Sequence, residues 1–156
     1  MSKFKLRPSI SEPEKVIKEK IGTEKWETIK NNTINNNNNR CFGCGYVPPD
    51  KRNLYVYVVK PEDEIESVLL CKGCYSIKYF NHCVKNKWVT LCNSSLSQEE
   101  LIVLSRNEKE LKRMIEDKKI VLISKTPDKY LEEMSNVMRD ERVDKVKVIF
   151  NKEFSW

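Results

Sequence analysis

Four of the six cysteines fall into two Cys-x-x-Cys pairs, Cys41 with Cys44 and Cys71 with Cys74, inside the stretch RCFGCGYVPPDKRNLYVYVVKPEDEIESVLLCKGCYSIKYF. A pair at this spacing on a tight turn sets both sulfurs on one side of a metal ion. Two pairs complete the tetrahedral thiolate shell that zinc takes in structural sites. The residues predict one structural Zn2+ per chain, held by Cys41, Cys44, Cys71 and Cys74. Gly43 and Gly45 lend the first turn its backbone freedom, and Gly73 does the same in the second. Redox dithiols are the competing chemistry, but they call for a thioredoxin-like context that neither pair is expected to occupy.

The elements around the pairs must bring them together. Between them, NLYVYVV and SVLLC alternate like strands on either side of KPEDEIE, so the chain runs out and returns. After the second pair, CYSIKYFNHCVKNKW places Ile77, Phe80, Val84 and Trp88 at helical spacing with no glycine or proline between them. A second knuckle that opens a helix defines a treble clef, whereas one on a hairpin defines a zinc ribbon. The helix N-terminus would also favour the thiolates. The fold class expected is α+β: a treble-clef-like four-cysteine finger followed by a small βαβαβ region.

Three parts follow from this reading. Residues 1–39 hold a basic leader, a helix in SEPEKVIKEKIG with Ser11 and Glu14 at capping-box spacing, and a second short helix with Trp26 and Ile29. Val16, Ile17 and Ile21 form a narrow apolar stripe, and Gly22 ends the first helix. NNTINNNNN has almost nothing to bury and reads as a mobile linker. Residues 40–92 are the zinc module. Residues 93–156 read as strand, helix, strand, helix, strand: LIVLS, then Leu111, Met114 and Ile115 at helical spacing, IVLIS, a helix with Leu131, Met134 and Met138, and KVKVIF.

Composition narrows the function classes. The 156 residues are 39% hydrophobic and 33% charged, which suits one soluble domain with a modest core. No apolar run approaches the roughly 20 residues of a membrane span, and the N-terminus lacks the apolar centre of a secretory signal. The cysteines are therefore expected in a reducing, intracellular compartment. Residues 1–40 carry nine basic and five acidic side chains, residues 41–92 seven and five, and the remainder thirteen of each. The net +6 thus belongs to the first 92 residues, where it serves either nucleic-acid attraction or an ordinary solvated surface. Arg40, Lys51, Arg52, Lys78, Lys85 and Lys87 are the candidate nucleic-acid contacts. Tyr55, Tyr57, Tyr75, Tyr79 and Trp88 around this basic module would stack on bases, or simply form core.

His82, Cys83 and Cys92 lack a fourth partner for a second metal site, so Cys83 and Cys92 read as buried free thiols. Catalysis finds little footing. A treble-clef nuclease of the His-Me type needs a histidine after its first knuckle, and none stands between Cys44 and Cys71. The lone His82 supports no Ser-His-Asp set. A closed four-cysteine shell offers no open coordination position. The sequence reads as non-enzymatic.

The cysteine pairs with an aromatic inside the first, the hairpin-length spacer and the helix after Cys74 resemble the poxvirus-type late transcription factor 2 (trans-activator) family of large DNA viruses. The resemblance continues into LIVLSRNEKELKRMIEDKKIVLIS and covers roughly residues 41–124. It implies a zinc-finger factor of late viral transcription in the infected cell's cytoplasm, viral factory or virion, contacting promoter DNA, RNA polymerase or other factors. Only the four cysteines carry over by position. The alternative is a protein-interaction adaptor in which zinc only holds a scaffold.

Overall fold

The computed structural model describes residues 6–9, 14–36, 39–49, 54–58, 66–134 and 146–156. Helix α1 (Glu14–Ile21) buries Ile17, with Val16 and Ile21 half-buried beside it. Gly22 closes it in the left-handed region (φ 100°), where a side chain would be strained. The Gly22 N–H donates to the Lys18 carbonyl, and the Gly22 carbonyl accepts from Trp26 N–H, so one residue ends α1 and starts α2 (Thr23–Asn36). The expected cap at Ser11 lies outside the described residues.

The asparagine-rich stretch departs from expectation. α2 continues through it to Asn36, so residues 31–36 are helix and not linker; positions 37–38 lie outside the described residues. The physical reason is tertiary. Trp26 is only 2% exposed, and Thr33 is buried with its hydroxyl on the Ile29 carbonyl (2.7 Å) and against the Ser67 hydroxyl (2.5 Å). Two anchored residues hold a helix whose intervening asparagines contribute nothing to burial.

The finger elements form as expected. Strands β1 (Leu54–Val58) and β2 (Ser67–Cys71) pair antiparallel, from Leu54 opposite Cys71 to Val58 opposite Ser67. Helix α3 (Lys72–Lys78) follows without a loop. The single long helix expected next is broken at Tyr79 (φ −117°, ψ 52°), and α4 (Phe80–Lys85) begins after it. The break is filled by the N-terminal segment: Ser9 N–H donates to the Ile77 carbonyl (3.1 Å), and Phe80 N–H donates to the Ser9 carbonyl (2.8 Å). Backbone groups freed by the kink are thereby paired. Trp88, expected on the helix, lies beyond its end.

β3 (Val89–Ser94) then enters a second sheet. LIVLS, expected as a strand, is the body of helix α5 (Gln98–Ser105). A capping box decides it: Ser97 Oγ accepts from Glu100 N–H, and Glu100 Oε1 accepts from Ser97 N–H, both at 3.1 Å. Helix α6 (Glu108–Glu116), strand β4 (Ile120–Leu122), helix α7 (Pro127–Met134) and strand β5 (Lys147–Phe150) follow. Met138 lies outside the described residues. The region is thus not βαβαβ. It is a three-stranded antiparallel sheet in the order β4-β3-β5, with Val89 opposite Phe150 and Cys92 opposite both Leu122 and Lys147. Gln98 ties α5 to β5, its side chain bonding both the carbonyl (2.8 Å) and the N–H (3.0 Å) of Val148. The chain is a mixed α/β fold, and one apolar cluster runs from Leu6, Ile17 and Trp26 through the hairpin and α3 to Phe150 and Phe154. No described helix is long and apolar enough to cross a membrane.

Two outcomes test this packing. Trp26→Ala removes a fully enclosed indole and should cost about 3–5 kcal/mol by denaturant titration, with deletion of residues 1–39 lowering the melting temperature at least as far. Lys78, 7% exposed, has its ammonium on Ser9 Oγ (3.2 Å), and burial and then the Arg7 charge press its pKa down to about 8. The folded state therefore binds fewer protons than the unfolded chain between pH 8 and the ordinary lysine value. Stability should rise with pH across that window, and Lys78→Met should flatten the slope.

Candidate metal centre

The first knuckle is a turn closed on itself. Cys41 N–H donates to the Tyr46 carbonyl (2.8 Å), Gly45 N–H to the Cys41 carbonyl (3.0 Å), and Cys44 N–H to Cys41 Sγ (3.4 Å). Gly45 takes φ 82°, a conformation suited to glycine. Gly43 has a different reason, which is space. A Cβ there would sit 2.9 Å from Cys74 Sγ and 3.6 Å from Cys41 Sγ. The knuckle is pinned to the hairpin by Phe42 N–H donating to the Leu69 carbonyl (2.8 Å).

The second knuckle joins strand to helix. Cys71 ends β2 and is the N-cap of α3, its sulfur accepting from Cys74 N–H at 3.5 Å. Gly73 is again there for room: a Cβ would meet the Trp156 ring at 2.5 Å. Trp156 continues the buttress to Arg106, whose guanidinium lies 4.2 Å from its ring centroid and 3.6 Å from that of Tyr46. Arg106 thus links the loop of one knuckle to the ring covering the other. Its Nε and Nη2 are buried without a hydrogen-bond partner, facing π surfaces. Nothing in the sequence marks Arg106, because its partners stand sixty residues before it and fifty after it.

The hairpin brings all four thiols to one point. The Sγ atoms of Cys41, Cys44, Cys71 and Cys74 lie within 4.8 Å of one another, and no other such cluster occurs among the described residues. Cys44 and Cys71 Sγ are 3.7 Å apart. A tetrahedron built on zinc–thiolate bonds of about 2.3 Å has edges of about 3.8 Å, so the donor set fits such an ion. Cys41, Cys71 and Cys74 are buried and Cys44 is half-buried. Without a metal the thiols share hydrogen bonds. Those from Cys44, Cys71 and Cys74 draw Cys41 far below its ordinary value. Cys44 is raised by its bond to Cys41 but lowered by Cys71 and Cys74, and ends down at about 7. Their bonds to Cys41 and Cys44 push Cys71 and Cys74 up. A cation at the centre would take the place of those shared protons.

The strand-to-helix position of Cys71 is the context in which a redox dithiol also sits, so context does not separate the two chemistries. Convergence does, since the four sulfurs meet at one point and a close sulfur contact joins one pair to the other. Cys83 and Cys92 stand apart from the cluster. Cys83 Sγ donates to the Ser76 carbonyl (3.0 Å) with its pKa raised to about 12, and Cys92 is raised to about 11, in both cases chiefly by burial. His82 is exposed on α4, its ring edge-on to Trp88.

The candidate nucleic-acid residues divide. Arg40, Lys85 and Lys87 are exposed, and Lys51 and Arg52 lie outside the described residues. Lys78 differs from the exposed lysines: it is buried against Ser9 and lies 5.5 Å from the Tyr57 ring. Comparison with known proteins finds no matching family model, no matching curated protein and no matching solved structure.

Metal analysis of the purified chain should return one ion per chain. Cys71→Ser should abolish it together with cooperative folding, since structural zinc contributes on the order of 10–16 kcal/mol, comparable with a whole domain's stability. Gly43→Ala should weaken metal retention in a chelator competition by pushing on Cys74 Sγ. Cys92→Ser should leave the metal content unchanged.

Proposed function

We propose that the chain is a zinc-stabilised adaptor, a treble-clef-like module that uses its metal to hold a protein-binding surface. The observation that carries this is the closed four-thiol cluster together with what its first knuckle displays. Phe42 and Val47 flank that turn and are 48% and 51% exposed, although both are large apolar residues. Solvent exposure of two such side chains on a rigid, metal-held turn suits anchoring in a partner's pocket. Four thiolates around one ion leave no place for water or substrate, so the metal's role in this reading is structural.

The resemblance of the two cysteine pairs, their spacer and the helix after Cys74 to the late transcription factor 2 family suggests the setting: partners drawn from a viral transcription apparatus, RNA polymerase among them. LIVLS, a strand in that resemblance, is helix α5 here. Direct DNA contact is a second reading, favoured by the exposure of Arg40, Lys85 and Lys87.

Co-purification separates the readings. Phe42→Asp and Val47→Asp should keep one metal ion per chain and lose polymerase subunits from a pull-down at physiological salt. If DNA binding dominates, those variants retain their complexes. Neutralising Lys85 and Lys87 then lowers the salt slope of DNA binding by about one for each phosphate that is no longer neutralised.

A further inference from the structure

Away from the metal, a cavity of about 320 Å³ opens where α3, α4, β1 and the start of α1 meet. Its walls are flat rings. Tyr55 and Tyr75 stack with centroids 5.1 Å apart and planes 25° from parallel, Tyr79 continues the row at 4.7 Å, and Trp88 also lines the cavity. The polar groups are few and specific. Asn81 and His82 line the cavity from α4 and are exposed. Ser76 stands at the wall, and Glu14 reaches in from α1.

Charge indicates what the rings receive. Lys72 lines the cavity with its ammonium 6.0 Å from the Trp88 centroid, held in place by the Ser155 carbonyl. Lys85 is exposed one helical turn after Asn81, on the same face of α4, and Lys87 follows it. A cationic ligand would meet the fixed Lys72 charge against the aromatic wall. A flat, neutral ring attached to an anionic backbone would meet stacking surfaces inside, Lys72 in the lining and the exposed Lys85 one turn along α4 from Asn81. Glu14 is the one anion of the lining. A carboxylate cannot donate, so it selects a ring edge that carries an amino group.

We propose that this cavity receives one unpaired nucleobase of a single-stranded nucleic acid, a base with an exocyclic amino group. Tyr55, at the open end of the row, and Trp88 give stacking surface, Asn81 and Glu14 read the base edge, and Lys85 and Lys87 hold the flanking phosphates. The site is independent of the partner-docking turn, since neither Phe42 nor Val47 lines it.

The test is fluorescence anisotropy on the full, metal-loaded chain with labelled oligonucleotides of about eight residues: oligo(dC), oligo(rC), oligo(dT) and the dC·dG duplex. Single-stranded dC or rC should bind more tightly than both the duplex and dT, and the tighter of the two names the kind of strand. Tyr55→Ala should weaken that binding about tenfold or more, as removal of one stacking partner does. Asn81→Ala, an exposed change that leaves the rings in place, should weaken it as well. Glu14→Ala should erase the preference of dC over dT, and Phe42→Asp should leave every affinity unchanged. Equal affinity for duplex and single strand overturns the proposal, as does binding indifferent to both Tyr55→Ala and Asn81→Ala. A trimethyllysine peptide that binds in a Tyr55-dependent way while the oligonucleotides do not also overturns it, and reassigns the rings to a cation.

Discussion

Four sulfurs held within 4.8 Å of one another set the terms for every other element of this fold. Thiols packed so closely cannot all ionise without a cation among them. The hairpin exists to bring this about: with Leu54 opposite Cys71, the end of β2 lies beside the start of β1, and the knuckle at 41–44 bonds back to Leu69. A metal bound there and the sheet pairing would reinforce one another, so removing one cysteine would weaken both.

Around that centre the chain uses aromatic rings where a larger protein would use more core. Trp156 covers Gly73, Arg106 lies between Trp156 and Tyr46, and Phe150 stacks on Phe154 at 4.1 Å. These rings tie the C-terminal end to both knuckles, so the second sheet and the metal module share one apolar cluster. The N-terminal segment completes the same body from the other side, because Ser9 takes up the backbone groups left open where α3 gives way to α4.

A small, rigid body of this kind is suited to presenting side chains. Phe42 and Val47 are exposed on the turn that carries the first cysteine pair. The tyrosine row lies on the hairpin and on the helix that the second knuckle starts. Both surfaces thus take their geometry from the elements that carry the cysteine cluster, and a surface held in place this way would give up little conformational freedom on binding.

Features whose signal is local were legible in the chain without its fold. Cys-x-x-Cys spacing marked the four thiols that converge, alternation marked β1 and β2, and three-and-four spacing marked α6 and the C-terminal half of α7. A local signal can also be outranked by another: LIVLS is β-branched and apolar enough for a strand, but Ser97 and Glu100 form a capping box, and their hydrogen bonds start a helix. Other features have no local signal at all. Residues 31–36 are helical because Trp26 and Thr33 find burial, Thr33 against Ser67 of the hairpin, and an expected single helix breaks because Ser9 docks into it. Gly43 and Gly73 have the look of flexible turn residues and are instead spaces kept open for Cys74 and Trp156. Lys78 has the look of a surface cation and is buried. Each of these depends on atoms far away in the chain, and only the tertiary structure brings such atoms within reach.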